Sequence, residues 1–171
     1  MAEREISATP LQLTDLPEEL KLVQDAWGQA KGSDIGPSRK AFDLLFIPLN
    51  LLPYSSVTDY FADSDEFIIR FFGTGLVSID GIDMTGKNLS ETSHPDLRRL
   101  LESLFRKVVD EKHENFSEFN FLSKSGTQRM SITGRWPLSE NGIDVSGILS
   151  VIYLADDKQH LNEILGRDDS R

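Results

Sequence analysis

The sequence predicts an α+β domain: one five-stranded antiparallel sheet with helices on one face, preceded by an amphipathic helix. Three observations lead there. Two strand-like runs, 55–61 and 66–72, flank Asp63-Ser64-Asp65, a turn signal that marks an antiparallel hairpin. Leu97, Leu100, Leu101, Leu104, Phe105, Val108 and Val109 then recur at helical spacing, giving a long helix that must pack on something flat and apolar. Three further strand-like runs, 116–122, 128–136 and 147–154, are separated by Ser125-Gly126 and Asn141-Gly142. Strands joined by hairpins on either side of a helical insert make one sheet, with the long helix across it.

Taken in order, residues 1–13 read as a loose tail. Asp15 and Glu18 have capping-box spacing, and Pro17 falls in a first turn, where its missing N–H is harmless. Leu16, Leu20, Val23, Trp27 and Ala30 form one apolar stripe that ends at Gly32. Residues 33–53 contain Gly36, Pro37, Pro48 and Pro53 and read as a loop with one helical turn near 39–45. Centring the next turn between Ser64 and Asp65 sets Asp59 opposite Arg70, a structural clamp contributing about 0.2–1 kcal/mol.

The stretch 66–91, EFIIRFFGTGLVSIDGIDMTGKNLSE, organises the rest. An apolar strand breaks at Gly73-Thr74-Gly75 and again at Gly81 and Gly86. Glycines after a strand predict short, tightly turned helices that fold back over the sheet around a small core or pocket. Ser93 and Asp96, with Pro95 between them, open the long helix, whose other face carries Arg98, Arg99, Glu102, Arg106 and Asp110. In the following strands Phe119 and Phe121 alternate with Glu118 and Asn120, and Met130, Ile132 and Trp136 with Arg129, Ser131, Thr133 and Arg135. The nearly continuous apolar run 147–154 suits a central strand, and 156–165 reads as a short closing helix. The chain thus divides into a tail and amphipathic helix (1–32), a main domain (33–155) and a C-terminal helix and tail (156–171).

Composition excludes several functions. In 171 residues the net charge is -10, which repels phosphate backbones and argues against a nucleic-acid partner. Arg98-Arg99 and Arg106-Lys107 lie among acids on one helix and read as a solvated face. With no cysteine, disulfides, thiolate zinc sites and cysteine nucleophiles are out, and a cytoplasmic location fits. MAEREISATP lacks the apolar core of a signal peptide. The most apolar window, 44–54, is broken by Pro48, Asn50 and Pro53, so no membrane span is expected.

One set of residues resembles a known family. It comprises Trp27, Pro37-Ser38-Arg39, Leu51-Leu52-Pro53, Asp59, Arg70, Gly73-Thr74, Gly81-Ile82-Asp83-Met84-Thr85-Gly86, and Trp136-Pro137-Leu138-Ser139 with Gly142. Together, over about residues 20–155, they look like the small bacterial proteins built from a single PAS domain with a short N-terminal helix. The resemblance implies the PAS fold and a sensory role in signal transduction, through a small ligand or a protein partner, with no shared catalytic residues. No kinase, cyclase or helix-turn-helix follows, so the output is expected in trans. One departure is the density of phenylalanine (Phe67, Phe71, Phe72, Phe119, Phe121), which is expected to shrink any pocket.

The chemistry of the side chains points the same way. His94 and His113 bracket the long helix but lie off its apolar stripe, so neither is read as an iron ligand; His94 is read as a helix cap and His113 as an exposed turn residue. No two histidines, His160 included, have zinc-site spacing, and neither metal nor cofactor is expected. Asp80, Asp83 and Glu91 read as turn formers. Gly73-Thr74-Gly75 lacks the Lys-Ser/Thr of a phosphate loop. Leu101, Phe105, Val108, Met130, Ile132, Trp136 and Tyr153 are left as the residues expected to line a cavity under the long helix, with Trp136 and Tyr153 as polar handles. The stripe Leu16, Leu20, Val23 and Trp27 is the expected homodimer interface. The leading expectation is a non-catalytic sensor or interaction module. Its alternatives are a cyclase- or isomerase-like cavity enzyme, which needs a buried Asp-His or Asp-Tyr pair, and an adaptor with a filled core.

Overall fold

The computed structural model describes residues 6–122, 128–155 and 165–166. Among them, six strands form one antiparallel sheet: β1 (Ser7–Leu11), β2 (Ser55–Phe61), β3 (Glu66–Phe72), β4 (Asn115–Leu122), β5 (Gln128–Leu138) and β6 (Gly147–Ala155). Their spatial order is β1-β4-β5-β6-β2-β3. The helices are α1 (Glu18–Lys31), α2 (Thr74–Asp80) and α3 (Pro95–Glu111). The five expected strands are present, and α3 crosses the sheet as expected. The sixth, β1, lies in the segment read as a tail. It pairs with β4 at the sheet margin, where Pro10 is tolerated because an edge strand can lack a donor. SATPL carries no apolar alternation to announce it. The Ser125-Gly126 turn and, apart from Leu165, the closing helix lie outside the described residues.

Side-chain alternation along β5 divides the molecule into two layers. Ile132, Trp136 and Leu138 point to one face and join Leu149 and Val151 of β6 in a core with Leu16, Leu20, Val23 and Trp27. Thr133 and Arg135 point to the other face, toward α2 and α3. The α1 stripe is therefore fully used within the chain: Leu20 and Val23 are 0% exposed and Trp27 2%. Two reciprocal hydrogen bonds fix its docking. The Trp27 indole N–H donates to the Pro137 carbonyl at 2.9 Å, and the Trp136 indole N–H to the Gln24 side-chain oxygen at 2.6 Å. This corrects the expected dimer surface at Leu16, Leu20, Val23 and Trp27, since a stripe buried on its own sheet has nothing left to offer a second copy.

The hairpin register also differs from expectation. Asp59 faces Ile68, and a bulge between the pairs Val57–Phe71 and Thr58–Ile69 leaves Arg70 unpaired in the ladder. The ion pair still forms, because Arg70 lies two residues beyond Ile68, diagonal to Asp59 and within reach of a long side chain: its Nε and Nη2 donate to Oδ2 at 2.8 and 2.6 Å. Arg39 Nη1 donates to Oδ1 at 2.5 Å. Asp59, 5% exposed, thus ties the loop after α1 to the hairpin. Pairing of this kind resists loss more than it adds stability, because removing one partner strands a buried charge.

The glycine-rich segment staples itself to the open edge of β3. A Cβ on Gly73 would stand 2.2 Å from the Pro53 carbonyl oxygen, so only glycine fits at the start of α2. Gly81, at φ 77, ends that helix in the left-handed region. Asp83 Oδ1 accepts from the Thr85 N–H at 2.9 Å, and the Gly86 N–H donates to the Ile69 carbonyl at 2.7 Å. The Ile69 N–H donates in turn to Lys87, so the edge is covered. Helix caps differ in detail from the sequence spacing. Asp15 caps the preceding 3-10 turn (Leu13–Asp15) and not α1, and His94, not Ser93, caps α3 by accepting from the Leu97 N–H. Asn141-Gly142 sits in an eight-residue loop between β5 and β6 (139–146), not in a tight two-residue turn.

Burial of α1 against its own sheet makes a direct prediction. Leu20→Ala is expected to lower unfolding stability by about 2–5 kcal/mol, with a urea midpoint independent of protein concentration. A midpoint that rises with concentration would instead place Leu20 between subunits.

Candidate functional site

Between the inner face of the sheet and the layer formed by α2, α3 and residues 81–94 lies a cavity of about 640 Å³. The strands supply a polar floor: Ser56 and Thr58 from β2, Thr133 and Arg135 from β5, Ser150 from β6. Phe119 and Phe121 of β4 and Ile152 of β6 flank that stripe. The opposite wall is largely apolar, built from Leu76 and Ile79 of α2 and Leu97, Leu101 and Phe105 of α3, with Asp80, Lys87, Glu91 and His94 at polar positions. Each floor residue is present because strand side chains alternate: once α1 buries the apolar set, the polar set must face inward.

Arg135 is the chemical centre of the floor. It is 1% exposed, yet among the described residues no carboxylate lies within ion-pair distance of it. Its Nη1 donates to Ser117 Oγ at 3.0 Å and to Asn115 Oδ1 at 3.4 Å, and its guanidinium lies 5.6 Å from the centre of the Phe119 ring. Among the described residues the Nε has no hydrogen-bond partner, and neither has the buried Ser150 Oγ. Burial pushes the guanidinium down to about 9, and no neighbouring acid opposes the shift.

Asp80, at the last residue of α2, also lines the cavity, and burial pushes its carboxyl up to about 6. It is therefore not the simple turn former expected of it. Asp83 and Glu91 are: Asp83 is held below the usual carboxylate range by hydrogen bonds from Thr85, and Glu91 accepts from the Asn88 N–H. His94 lines the cavity while capping α3, and His113 is exposed; His160 lies outside the described residues. Asp80 and His94 line the same cavity, and among the described residues no hydrogen bond joins Asp80 to a histidine or tyrosine. No cluster of three potential metal ligands occurs among them either.

The structure divides the residues expected to line the cavity. Leu101 and Phe105 do so, and Val108 is buried in the neighbouring core without reaching it. Met130, Ile132, Trp136 and Tyr153 are on the opposite face, packed in the α1 core, and this corrects their assignment. The difference is one of face: the apolar residues of the sheet point at α1 and not at α3. The sequence signal for the cavity face is Ser131, Thr133 and Arg135, the alternate positions of the same strand. The phenylalanines do not close the space, because Phe71 faces the α1 core and Phe67 packs edge-on against Phe105, leaving Phe72, Phe119 and Phe121 as lining.

No family model and no curated protein matches the chain. Solved structures do. The dark structure of the blue-light photoreceptor Aureochrome1 LOV aligns with a TM-score of 0.53 and 13% identity, covering 73% of this chain and 91% of that one. A Light-Oxygen-Voltage domain studied with a flavin analogue aligns at 0.49 with 14% identity, over 66% and 83% of the two chains. VqmA bound to DPO aligns at 0.48 with 12% identity, over 67% of this chain and 66% of that one, so this chain spans about two thirds of it. Light-Oxygen-Voltage domains are a branch of the PAS fold, and the α+β chain described here has that fold. No helix among the described residues is long and apolar enough to cross a membrane.

The position of Asp80 sets a pH dependence. With its folded pKa raised to about 6, the neutral carboxyl favours the folded state below the unfolded value of 3.8, and that advantage is lost as pH rises through about 6. Asp80→Asn is therefore expected to stabilise the protein at pH 7 by about 1–2 kcal/mol while leaving pH 3.5 nearly unchanged, read by urea unfolding at both values. An equal effect at both pH values would refute the burial of this carboxyl.

Proposed function

We propose that this chain is a non-catalytic sensory module that binds a small, largely apolar ligand between its sheet and its α2–α3 layer, and that signals to a protein partner in the bacterial cytoplasm. The observation that carries the reading is the cavity itself: about 640 Å³ with a polar stripe on the sheet, a largely apolar wall from α2 and α3, and polar groups from residues 80–94. That is the size and chemistry of a small-molecule site, in which a few fixed polar groups orient a ligand and apolar walls bind it. An adaptor acting only through its surface has no need of such a space.

The route from ligand to surface runs through β5. Arg135 faces the cavity, and Trp136, the next residue, faces α1 and holds Gln24. A ligand that shifts β5 by a few tenths of an ångström therefore acts on both layers, and the docking of α1 is the readout. Both tryptophans of the chain, Trp27 and Trp136, sit at that interface and report on it.

Native mass spectrometry with an absorption spectrum of the purified protein tests the binding. The expected result is a mass above the 19.2 kDa chain that is lost on denaturation. Leu101→Phe, which adds volume to the apolar wall, is expected to lower the bound fraction, and ligand removal to shift the tryptophan emission. A bare chain mass for the wild type, with emission unchanged by added lipid or cell extract metabolites, would contradict the reading.

A further inference from the structure

We infer that the cavity selects ligands carrying a carboxylate, with Arg135 as the group that recognises it and Ser150 as its neighbour on the floor. The inference rests on the ligand-site reading above and makes it chemically specific.

Two independent features of the floor point to an anion. The first is charge. A guanidinium that is 1% exposed, with no carboxylate within ion-pair distance among the described residues, places a full positive charge in a region of low dielectric. A proteinaceous counter-ion is the usual remedy, and this chain, with 28 acids against 18 bases, has no shortage of acids to supply one. The second feature is unused hydrogen-bonding capacity. Arg135 Nε and Ser150 Oγ are both buried without a partner among the described residues, and both residues line the same cavity on adjacent strands, where Arg135 and Ser150 are directly paired in the β5–β6 register. A donor fork beside a hydroxyl is the arrangement that takes up the two oxygens of a planar carboxylate.

The rest of the cavity defines the remainder of the molecule. Thr58, Thr133 and Ser56 extend the floor with hydroxyls that donate or accept. Ile79, Leu97, Leu101 and Phe105 give an apolar wall facing it, while Asp80, Lys87, Glu91 and His94 line the cavity as well, two acids beside a second cation. The ligand class is accordingly an amphipathic organic acid: a carboxylate on the sheet side and a hydrocarbon body, aliphatic or aromatic, under α2 and α3. Arg135 sorts ligands by charge, and the wall accepts their bodies by size.

Isothermal titration calorimetry at pH 7 with two matched pairs tests this: octanoate against 1-octanol for an aliphatic body, and 4-phenylbutyrate against 4-phenylbutanol for an aromatic one. The acid of at least one pair is expected to bind about tenfold or more tightly than its alcohol, and the pair with the larger ratio identifies the body. Arg135→Met, which replaces a buried charge with an apolar side chain of similar length, is expected to fold and to bring the ratio close to one. Should it not fold, Arg135→Lys carries the comparison, with a reduced ratio expected from loss of the fork. Ser150→Ala is expected to weaken the acid by about threefold and the alcohol little. Equal binding of acid and alcohol by the wild type would overturn carboxylate recognition and leave the cavity reading standing. An unchanged ratio in the Arg135 variants would also overturn it. If none of the four probes binds, both readings fall together.

Discussion

The docking of α1 decides which way every strand faces. Its stripe of Leu16, Leu20, Val23 and Trp27 requires an apolar partner surface, and the sheet meets it with Ile132, Trp136, Leu149 and Val151. Strand side chains alternate with period two, so fixing one face fixes the other. The residues left for the inner face are Thr58, Thr133, Arg135 and Ser150, and the cavity floor is polar for that reason. Slipping β5 by one residue would put Arg135 beneath α1 and Trp136 into the cavity, and both layers would fail.

That arrangement is not the most stable one available. Burying an arginine without a counter-ion opposes folding, and an apolar residue of similar volume would commonly serve stability as well or better. Local rules broken in an otherwise consistent structure concentrate at functional sites. Here the buried arginine lies on the cavity face. The α1 side has its tryptophan N–H groups bonded and its apolar side chains closely packed, and Asp59 on β2 is held by Arg39 and Arg70. The cavity side holds Arg135 Nε and Ser150 Oγ without partners among the described residues. Asp80, half-buried on the same side, has its carboxyl raised to about 6 by partial burial.

The fold was largely readable in the sequence because its main signals are local. The hairpin 55–72 rests on apolar runs around an Asp-Ser-Asp turn, and α3 on a seven-residue stripe, both of which survive without tertiary information. β1 was not readable, since SATPL is an edge strand held by backbone pairing to β4 and carries no pattern of its own. The Asp59–Arg70 contact was anticipated through a register that is wrong by a bulge, because a bulge is set by how the strand meets its neighbours and not by its residues alone. The site was half legible. Leu101 and Phe105 follow from the α3 stripe, whereas Thr133, Arg135 and Ser150 emerge only once α1 is known to occupy the other face. An amphipathic helix ahead of a domain reads equally well as a dimer surface or as a cover for its own sheet, and only the packing tells the two apart.

The central claim is that the inner face of the sheet is a ligand site whose charge awaits an anion. A crystal structure of the protein as purified from its cells tests it most directly. The account predicts density for a bound molecule in the cavity, with an oxygen of that molecule within hydrogen-bond distance of the Arg135 guanidinium, and α1 seated on the far face. A cavity closed by α2 and α3, with Arg135 paired to a carboxylate of the chain itself, would contradict it.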